Sequence, residues 1–146
     1  MSKHIYKQHN KTLLLYHIVY PVKYRRKVIT ENIEKTLKKI CIGISERYEI
    51  YFIEIGIDED HVHFLVQSVP TMCVDQIVRI IKSITAKKIF RKHPGIKKML
   101  WGGNLWTSGY YANTVGQYGN EEVIRKYVEN QGRKYKKIYE GQLSLF

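Results

Sequence analysis

The spacing of apolar residues divides the chain into strands and helices. Thr12–Pro21 and Ile50–Ile57 are rich in β-branched and aromatic residues, which is typical of strands, and the first of them ends at a proline. His61–Gln67 is a third apolar run, and the acidic turn Asp58–Asp60 before it predicts a hairpin with the second strand. Glycine turns then precede a fourth strand, predicted near Leu105–Val115.

Helical spacing of apolar residues predicts three helices. The first starts after Thr30, a residue suited to capping a helix. The second covers about residues 74–92 and ends before a proline. The last starts after Asn120, and the two glutamates that follow complement the helix dipole. The apolar positions of the first helix are Ile33, Leu37, Ile40, Cys41, Ile44 and Tyr48.

The order of elements is therefore β-α-β-β-α-β-α, in a chain whose 146 residues suit a single domain, 1–146. The first six elements match the ferredoxin-like, split βαβ arrangement, an α+β fold with an antiparallel sheet that carries two helices on one face. The last helix has no place in that minimal fold. We expect it to dock over the other face of the sheet.

The third strand has two faces of different chemistry. Side chains alternate along a strand, so Val62, Phe64 and Val66 point one way and His61 and His63 point the other. The apolar set is expected to face the helices. The two imidazoles then project together from the opposite face, a spacing that suits two ligands of one metal ion. On its own this pattern is a weak signal, and two half-exposed strand histidines would look the same.

The last helix adds a second candidate group to that face. Tyr127 and Gln131 are four residues apart, so they stand one turn apart on the same side of a helix. Val123, Ile124 and Val128 flank them, which indicates that this side faces protein. A phenol and an amide on an inward stripe need polar partners. The alternative is an amphipathic helix with one amide at its edge.

Charge points to a polyanionic partner. Lys and Arg number 25 against 13 Asp and Glu, which gives a formal net charge of +12. Such an excess is most often associated with nucleic acid, and many of the 12 tyrosines lie beside basic residues, where they can stack on unpaired bases.

The two cysteines do not form a disulfide framework, and neither a signal peptide nor a membrane span is predicted. We therefore expect a cytoplasmic protein.

Several motifs together resemble a known family. The motifs are YHIVYPVKYRRKVI in the first strand and turn, DEDHVHFLV around the histidines, LWGGNLWTSGYYANTVG in the fourth-strand region and YVENQ in the last helix. Their content and order resemble the single-tyrosine transposases of the His–hydrophobic–His nuclease superfamily, the insertion sequence 200/605 group. The likeness extends from Leu15 to Gln131, and its specificity lies in the combination.

The resemblance implies an active site and a reaction. It makes His61 and His63 metal ligands, Gln131 the third ligand and Tyr127 the nucleophile. The reaction it implies is cleavage and rejoining of single-stranded DNA through a 5′-phosphotyrosine. The metal is expected to be Mg²⁺, favoured by abundance, or Mn²⁺, favoured by imidazole ligands. If Gln131 is not a ligand, the next candidates are Asp60 and Glu54.

The expected partners are DNA and a second subunit. The resemblance implies single-stranded DNA with a hairpin near each end of the element. It also implies a homodimer in which Tyr127 of one subunit can serve the histidines of the other. Candidate phosphate contacts come from the basic residues after the first strand and on the second helix. They are Lys23, Arg25, Arg26, Lys27, Lys82, Lys87, Lys88 and Arg91.

Two other functions remain open at the level of sequence. One is a protein of the same fold that binds nucleic acid without cutting it. The other is a metal-dependent nuclease whose nucleophile is water, without a covalent step. A replication initiator or relaxase of the same superfamily is less favoured, because those proteins usually carry extra domains.

Overall fold

The computed structural model describes residues 3–116. It contains a four-stranded antiparallel sheet in the order β4-β5-β3-β6 and a separate two-stranded hairpin, β1-β2. The four strands of the sheet and the two long helices follow the expected split βαβ order β-α-β-β-α-β, which confirms the predicted fold class. The strands are β1 Ile5–Lys7, β2 Asn10–Thr12, β3 Leu14–Pro21, β4 Tyr51–Ile57, β5 His61–Ser68 and β6 Tyr111–Val115.

Three α-helices lie within the described residues. α1 spans Glu31–Arg47 and starts after Thr30 as predicted, although the Thr30 side chain makes no capping hydrogen bond. α2 spans Val74–Lys92. The short helix α3, Pro94–Met99, was not predicted, because a proline that ends one helix can also occupy the first turn of the next.

The core lies between the sheet and the two long helices. Val62, Phe64 and Val66 are fully buried against α1 and α2, which confirms the predicted inward face of β5. Phe64 packs edge-to-face against Tyr20 and Phe52, with ring centroids 5.4 Å apart in both pairs. Tyr20 is fully buried as well, and its hydroxyl donates to the Val78 carbonyl at 2.9 Å, so the core accommodates this phenol without an unpaired polar atom.

The second face of the sheet is also withdrawn from solvent. Alternate residues of β5, from His61 to Gln67, are all buried on this face, and so are Leu15, His17 and Val19 of β3. Because both faces of β5 are buried, apolar residues occur on both of them and the strand forms a nearly continuous apolar segment of the sequence. The predicted last helix, with Tyr127 and Gln131, lies outside the described residues.

Two regions near the ends of the described chain differ from expectation. The β1-β2 hairpin was missed because its six residues are mostly polar and exposed. It is held to the sheet by Gln67, whose amide nitrogen donates to the Lys3 carbonyl at 2.7 Å. The fourth strand is shorter than predicted, because only Tyr111–Val115 pair with β3 and an isolated bridge joins Trp106 to Val22.

No helix among residues 3–116 is both long and apolar enough to cross a bilayer.

Candidate active site

The two predicted ligand histidines lie side by side on β5. Their ring centroids are 4.7 Å apart and their planes are inclined at 74°, so the rings meet edge to face. Both residues are only 3% exposed. The arrangement places two nitrogen donors together on the face of the sheet opposite the α1–α2 core, as the alternation of β5 predicted.

His61 is held in one tautomer by its neighbour. Its Nδ1 lies 2.6 Å from Asp60 Oδ1, and the other carboxylate oxygen of Asp60 accepts from Arg25 Nε at 3.2 Å. Partial burial would raise the pKa of Asp60, but the hydrogen bond from His61 and the charge of Arg25 outweigh it and lower that pKa. An ionised carboxylate can only accept, so the Nδ1 of His61 carries a proton, and in the neutral imidazole the lone pair is then on Nε2.

His63 is kept neutral by its surroundings. Burial, together with the nearby His61, His17 and Arg25, lowers the pKa of His63 to about 3. The imidazole is therefore uncharged at any physiological pH and has a lone pair to offer. A neutral imidazole is the form that binds a metal ion, so no proton has to leave His63 before it can act as a ligand.

A third histidine belongs to this cluster and was not predicted. His17, on β3, lies nearly parallel to His63 with ring centroids 5.7 Å apart. Its Nδ1 is 3.0 Å from Asn113 Oδ1. The rings of His17 and Tyr111 meet edge to face, with their centroids 6.2 Å apart. Burial lowers the pKa of His17, although its hydrogen bond to Asn113 opposes the shift.

The donor set suits a metal ion but is incomplete within the described residues. Two buried imidazoles, His63 in its neutral form and His61 hydrogen-bonded to a carboxylate, match the nitrogen ligands of divalent metal sites. Among residues 3–116, however, no group of three or more His, Cys, Asp or Glu side chains is placed to hold a metal ion. Within these residues Asp60 and Glu54 therefore do not complete such a group with the histidines, and Asp60 hydrogen-bonds to His61 instead.

Sequence comparison identifies the family to which this site belongs. The family described as "Transposase IS200 like" matches residues 10–131. The chain belongs to the IS200-like transposases. It is 34% identical to the ISDra2 transposase TnpA of Deinococcus radiodurans over 121 residues, 83% of this chain and 86% of that protein. It is 26% identical to the transposase of insertion sequence element IS200 from Salmonella typhimurium over 123 residues, 84% of this chain and 80% of that protein.

Solved structures share the fold of this transposase. A crystal structure from Deinococcus radiodurans R1 superposes with a TM-score of 0.71 at 28% identity, covering 87% of this chain and 97% of that one. A REP-associated tyrosine transposase bound to a REP hairpin superposes with a TM-score of 0.59, covering 92% and 74% of the two chains. Its identity is 11%, so that likeness shows the fold alone.

Seven of the predicted phosphate-contact residues lie on two separate surfaces in the described part of the transposase. Lys23, Arg25, Arg26 and Lys27 follow β3 in the turn that contacts Asp60, close to His61. The exposed Lys87, Lys88 and Arg91 of α2 line a cleft of about 220 Å³ between α1 and α2, together with Arg47. Because the helices cover the opposite face of the sheet, the second surface is separated from the histidines by the sheet itself.

Lys82 has a structural role that the sequence did not reveal. Its ammonium group donates to the carbonyls of Thr107 and Gly109 at 2.7 and 2.6 Å and lies over the ring of Tyr20. Burial lowers the pKa of Lys82. The residue was predicted to contact phosphate, which stays a prediction, and in the described residues its charge holds the segment before β6 against α2.

Replacing Lys82 with Met should destabilise the transposase by about 1–3 kcal/mol, since two hydrogen bonds from a charged donor are lost and two carbonyls lose their partner. Urea denaturation followed by circular dichroism measures this change. Lys88→Met is the matched control, because Lys88 is exposed on the same helix, and its effect should be within about 0.5 kcal/mol of zero. Equal effects of the two substitutions would show that the Lys82 contacts contribute nothing to stability.

Proposed function

We propose that this transposase cleaves and rejoins single-stranded DNA at the ends of its insertion sequence through a covalent tyrosine intermediate. Tyr127 is the nucleophile, and His61, His63 and Gln131 bind the divalent metal ion. The observation that carries the proposal is the buried, adjacent pair of imidazoles on β5, in a chain of the IS200-like family.

The chemistry divides between the metal ion and the side chains. A bound Mg²⁺ or Mn²⁺ would orient the phosphodiester and neutralise the charge that develops on its non-bridging oxygens. The Tyr127 oxygen forms the new bond to phosphorus as the bond from phosphorus to the 3′ oxygen breaks. The phenol loses its proton and the leaving oxygen takes one up, which yields a 5′-phosphotyrosine and a 3′-OH. The phosphotyrosine keeps the bond energy for rejoining, because the 3′-OH of another strand can attack it.

The protein contributes neutral ligands and a substrate surface. Two imidazoles and an amide leave the full charge of the ion for the phosphate. Imidazole nitrogens favour Mn²⁺, whereas abundance favours Mg²⁺, so both should support the reaction. The two basic surfaces suit a substrate with two parts, a strand at the histidines and a folded portion elsewhere. The REP-associated transposase with the same fold is bound to a hairpin, which supports a hairpin as that folded portion.

We also propose that the transposase acts as a homodimer. The family resemblance supports this, with Tyr127 of one subunit serving the histidines of the other. The separation of Tyr127 from β5 along the sequence is compatible with either origin of the nucleophile. Mixing a Tyr127→Phe subunit with a His63→Ala subunit distinguishes them, since restored cleavage requires that one subunit supply the tyrosine and the other the histidines.

A single assay tests the proposed reaction against its alternatives. Single-stranded DNA from the end of the element, labelled on the 3′ side of the cleavage site, is incubated with Mg²⁺ or Mn²⁺ and separated under denaturing conditions. Label that migrates with the protein supports the tyrosine intermediate. Cut DNA without any adduct indicates that water is the nucleophile, and binding without cutting indicates a protein that only recognises DNA.

Gln131 should tune the metal dependence of cleavage. A neutral amide is a weak ligand, so Gln131→Ala should raise the metal concentration for half-maximal cleavage by about tenfold and slow the reaction without abolishing it. Gln131→Glu should lower that concentration, because a carboxylate is a stronger ligand for a hard cation. Metal titrations of the three proteins give the comparison. Identical titration curves would show that Gln131 is not a ligand.

A further inference from the structure

The basic turn after β3 has an unusual backbone. Within the short 3₁₀ segment Lys23–Arg25, Tyr24 and Arg25 both have positive φ angles, of 60° and 54°. Two consecutive residues other than glycine in the left-handed region are uncommon, and such conformations persist only where surrounding contacts enforce them. Conformations of this kind concentrate at functional sites, so the contacts made by the turn are informative.

Those contacts tie the turn to the residues just before His61. The Val22 amide donates to the Asp60 carbonyl at 2.8 Å, and the Ile29 amide donates to the Glu59 carbonyl at 3.0 Å. The β3–α1 connection is thus bonded through its backbone, before and after the strained residues, to the β4–β5 hairpin turn. This places the Arg25 side chain beside the Asp60 carboxylate although the two residues are 35 positions apart.

The side chains continue this connection to the site. Arg25 Nε donates to Asp60 Oδ2 at 3.2 Å, and His61 Nδ1 donates to Asp60 Oδ1 at 2.6 Å. Each carboxylate oxygen therefore has a partner of its own, which fixes the plane of the carboxylate and, through it, the plane of the imidazole. A histidine whose Nδ1–H is bound in this way presents Nε2, and a carboxylate partner makes that nitrogen more basic.

We propose that Arg25 and Asp60 are positioning residues, which act in series to orient the His61 imidazole and fix its tautomer for metal binding. The inference rests on the proposed function, because it assumes that His61 is a ligand. It gives Arg25 a role in the DNA-free protein, whereas a phosphate contact would act only when DNA is bound. It also gives Asp60 a role as a hydrogen-bond acceptor for a ligand, in place of direct metal coordination.

Metal affinity of the DNA-free protein is the first test, with Mn²⁺ as the probe and calorimetry or electron paramagnetic resonance as the measurement. Asp60→Asn, which keeps the shape of the side chain, should weaken Mn²⁺ binding by about 10- to 100-fold, the usual range for such partners of ligands. Arg25→Gln should weaken it less, by about threefold, because it acts only through Asp60. Arg25→Lys, which keeps the charge without the Nε donor, provides a second variant of this position.

Neighbouring residues of the same two turns provide matched controls. Glu59→Gln removes a carboxylate next to Asp60, and the Glu59 side chain is 68% exposed, with a loose ion pair to Lys27 at 3.9 Å. Arg26→Gln removes one positive charge next to Arg25. Both controls should leave Mn²⁺ affinity unchanged, although Arg26→Gln is expected to weaken DNA binding. Circular dichroism establishes that each variant is folded before its affinity is interpreted.

A double-mutant cycle tests whether the two residues act in series. If Arg25 works through Asp60, Arg25→Gln should have no further effect on Mn²⁺ affinity in the Asp60→Asn background. Additive effects would overturn the serial arrangement. Wild-type protein that binds Mn²⁺ while Asp60→Asn binds equally well would overturn this inference alone. Wild-type protein that binds no Mn²⁺ would overturn the proposed function as well.

Nuclear magnetic resonance of the metal-free protein gives a readout that does not depend on activity. With ¹⁵N-labelled histidine, wild-type His61 should show a protonated Nδ1 and an unprotonated Nε2. Asp60→Ala should shift the population toward the other tautomer or a mixture, whereas Glu59→Gln should leave it unchanged. An Nε2-protonated His61 in the wild type, or an identical spectrum in Asp60→Ala, would contradict the proposed orientation.

Discussion

Tyr127→Phe is expected to abolish both DNA cleavage and the covalent protein–DNA adduct, while DNA binding stays close to wild type. Phenylalanine keeps the aromatic ring but removes the oxygen that forms the bond to phosphorus. Loss of a covalent nucleophile lowers the rate by at least about 10⁴-fold in comparable enzymes. The measurement is the denaturing separation of labelled DNA, together with a binding titration on the uncut strand.

Another tyrosine provides the control for this substitution. Tyr6 is 70% exposed in the β1-β2 hairpin, which is separate from the sheet that carries the histidines, so Tyr6→Phe removes an exposed phenol oxygen and should leave the adduct intact. Adduct formation by Tyr127→Phe, with a different tyrosine found labelled by peptide mapping, would refute the assignment. Loss of DNA binding in that variant would instead point to a role in recognition.

The histidine pair could be predicted because its geometry is local. Strand alternation fixes which residues of His61–Ser68 share a face, and the apolar set Val62, Phe64 and Val66 decides which face is the core. No information from elsewhere in the chain is needed. The same locality explains why the two long helices were placed correctly, since their apolar periodicity lies within one segment.

His17 was missed because its place in the site depends on strand register. It lies opposite Leu65 in the β3–β5 pairing and opposite Asn113 in the β3–β6 pairing, and these pairings bring it next to His63. A sequence gives the order of strands in a familiar fold but not their offset. One signal was available: His17 is two positions from both Leu15 and Val19, so all three share a face of β3.

Arg25, Asp60 and Lys82 show a different limit of sequence reasoning. Each was identified as a charged residue with a function, but its partner is distant in sequence: Arg25 meets Asp60 across 35 positions, and Lys82 meets Thr107 across 25. A basic residue near a predicted nucleic-acid site has the same local sequence whether it binds a phosphate or a carbonyl. Only the fold distinguishes these roles.

The second large effect is expected at His63. His63→Ala should lower metal-dependent cleavage by about 10³-fold or more, since a catalytic metal supplies several kcal/mol of transition-state stabilisation and each 1.36 kcal/mol is a factor of ten in rate. The protein should remain folded, because His63 lies on the face of β5 that is turned away from the α1–α2 core. Cleavage rates at saturating Mn²⁺ and urea denaturation measure the two effects separately.

Phe64 is the matched comparison, since it is the next residue of the same strand and points to the other face. Its ring is fully buried between Tyr20 and Phe52, so Phe64→Ala should lower the free energy of unfolding by about 3–5 kcal/mol. A loss of this size is a large part of the 5–15 kcal/mol that stabilises a typical domain, so this variant should fail through unfolding. At low temperature, the fraction that stays folded should still bind Mn²⁺ with wild-type affinity, whereas folded His63→Ala should not. An unfolded His63→Ala beside a stable Phe64→Ala would mean that the two faces of β5 have been assigned the wrong way round.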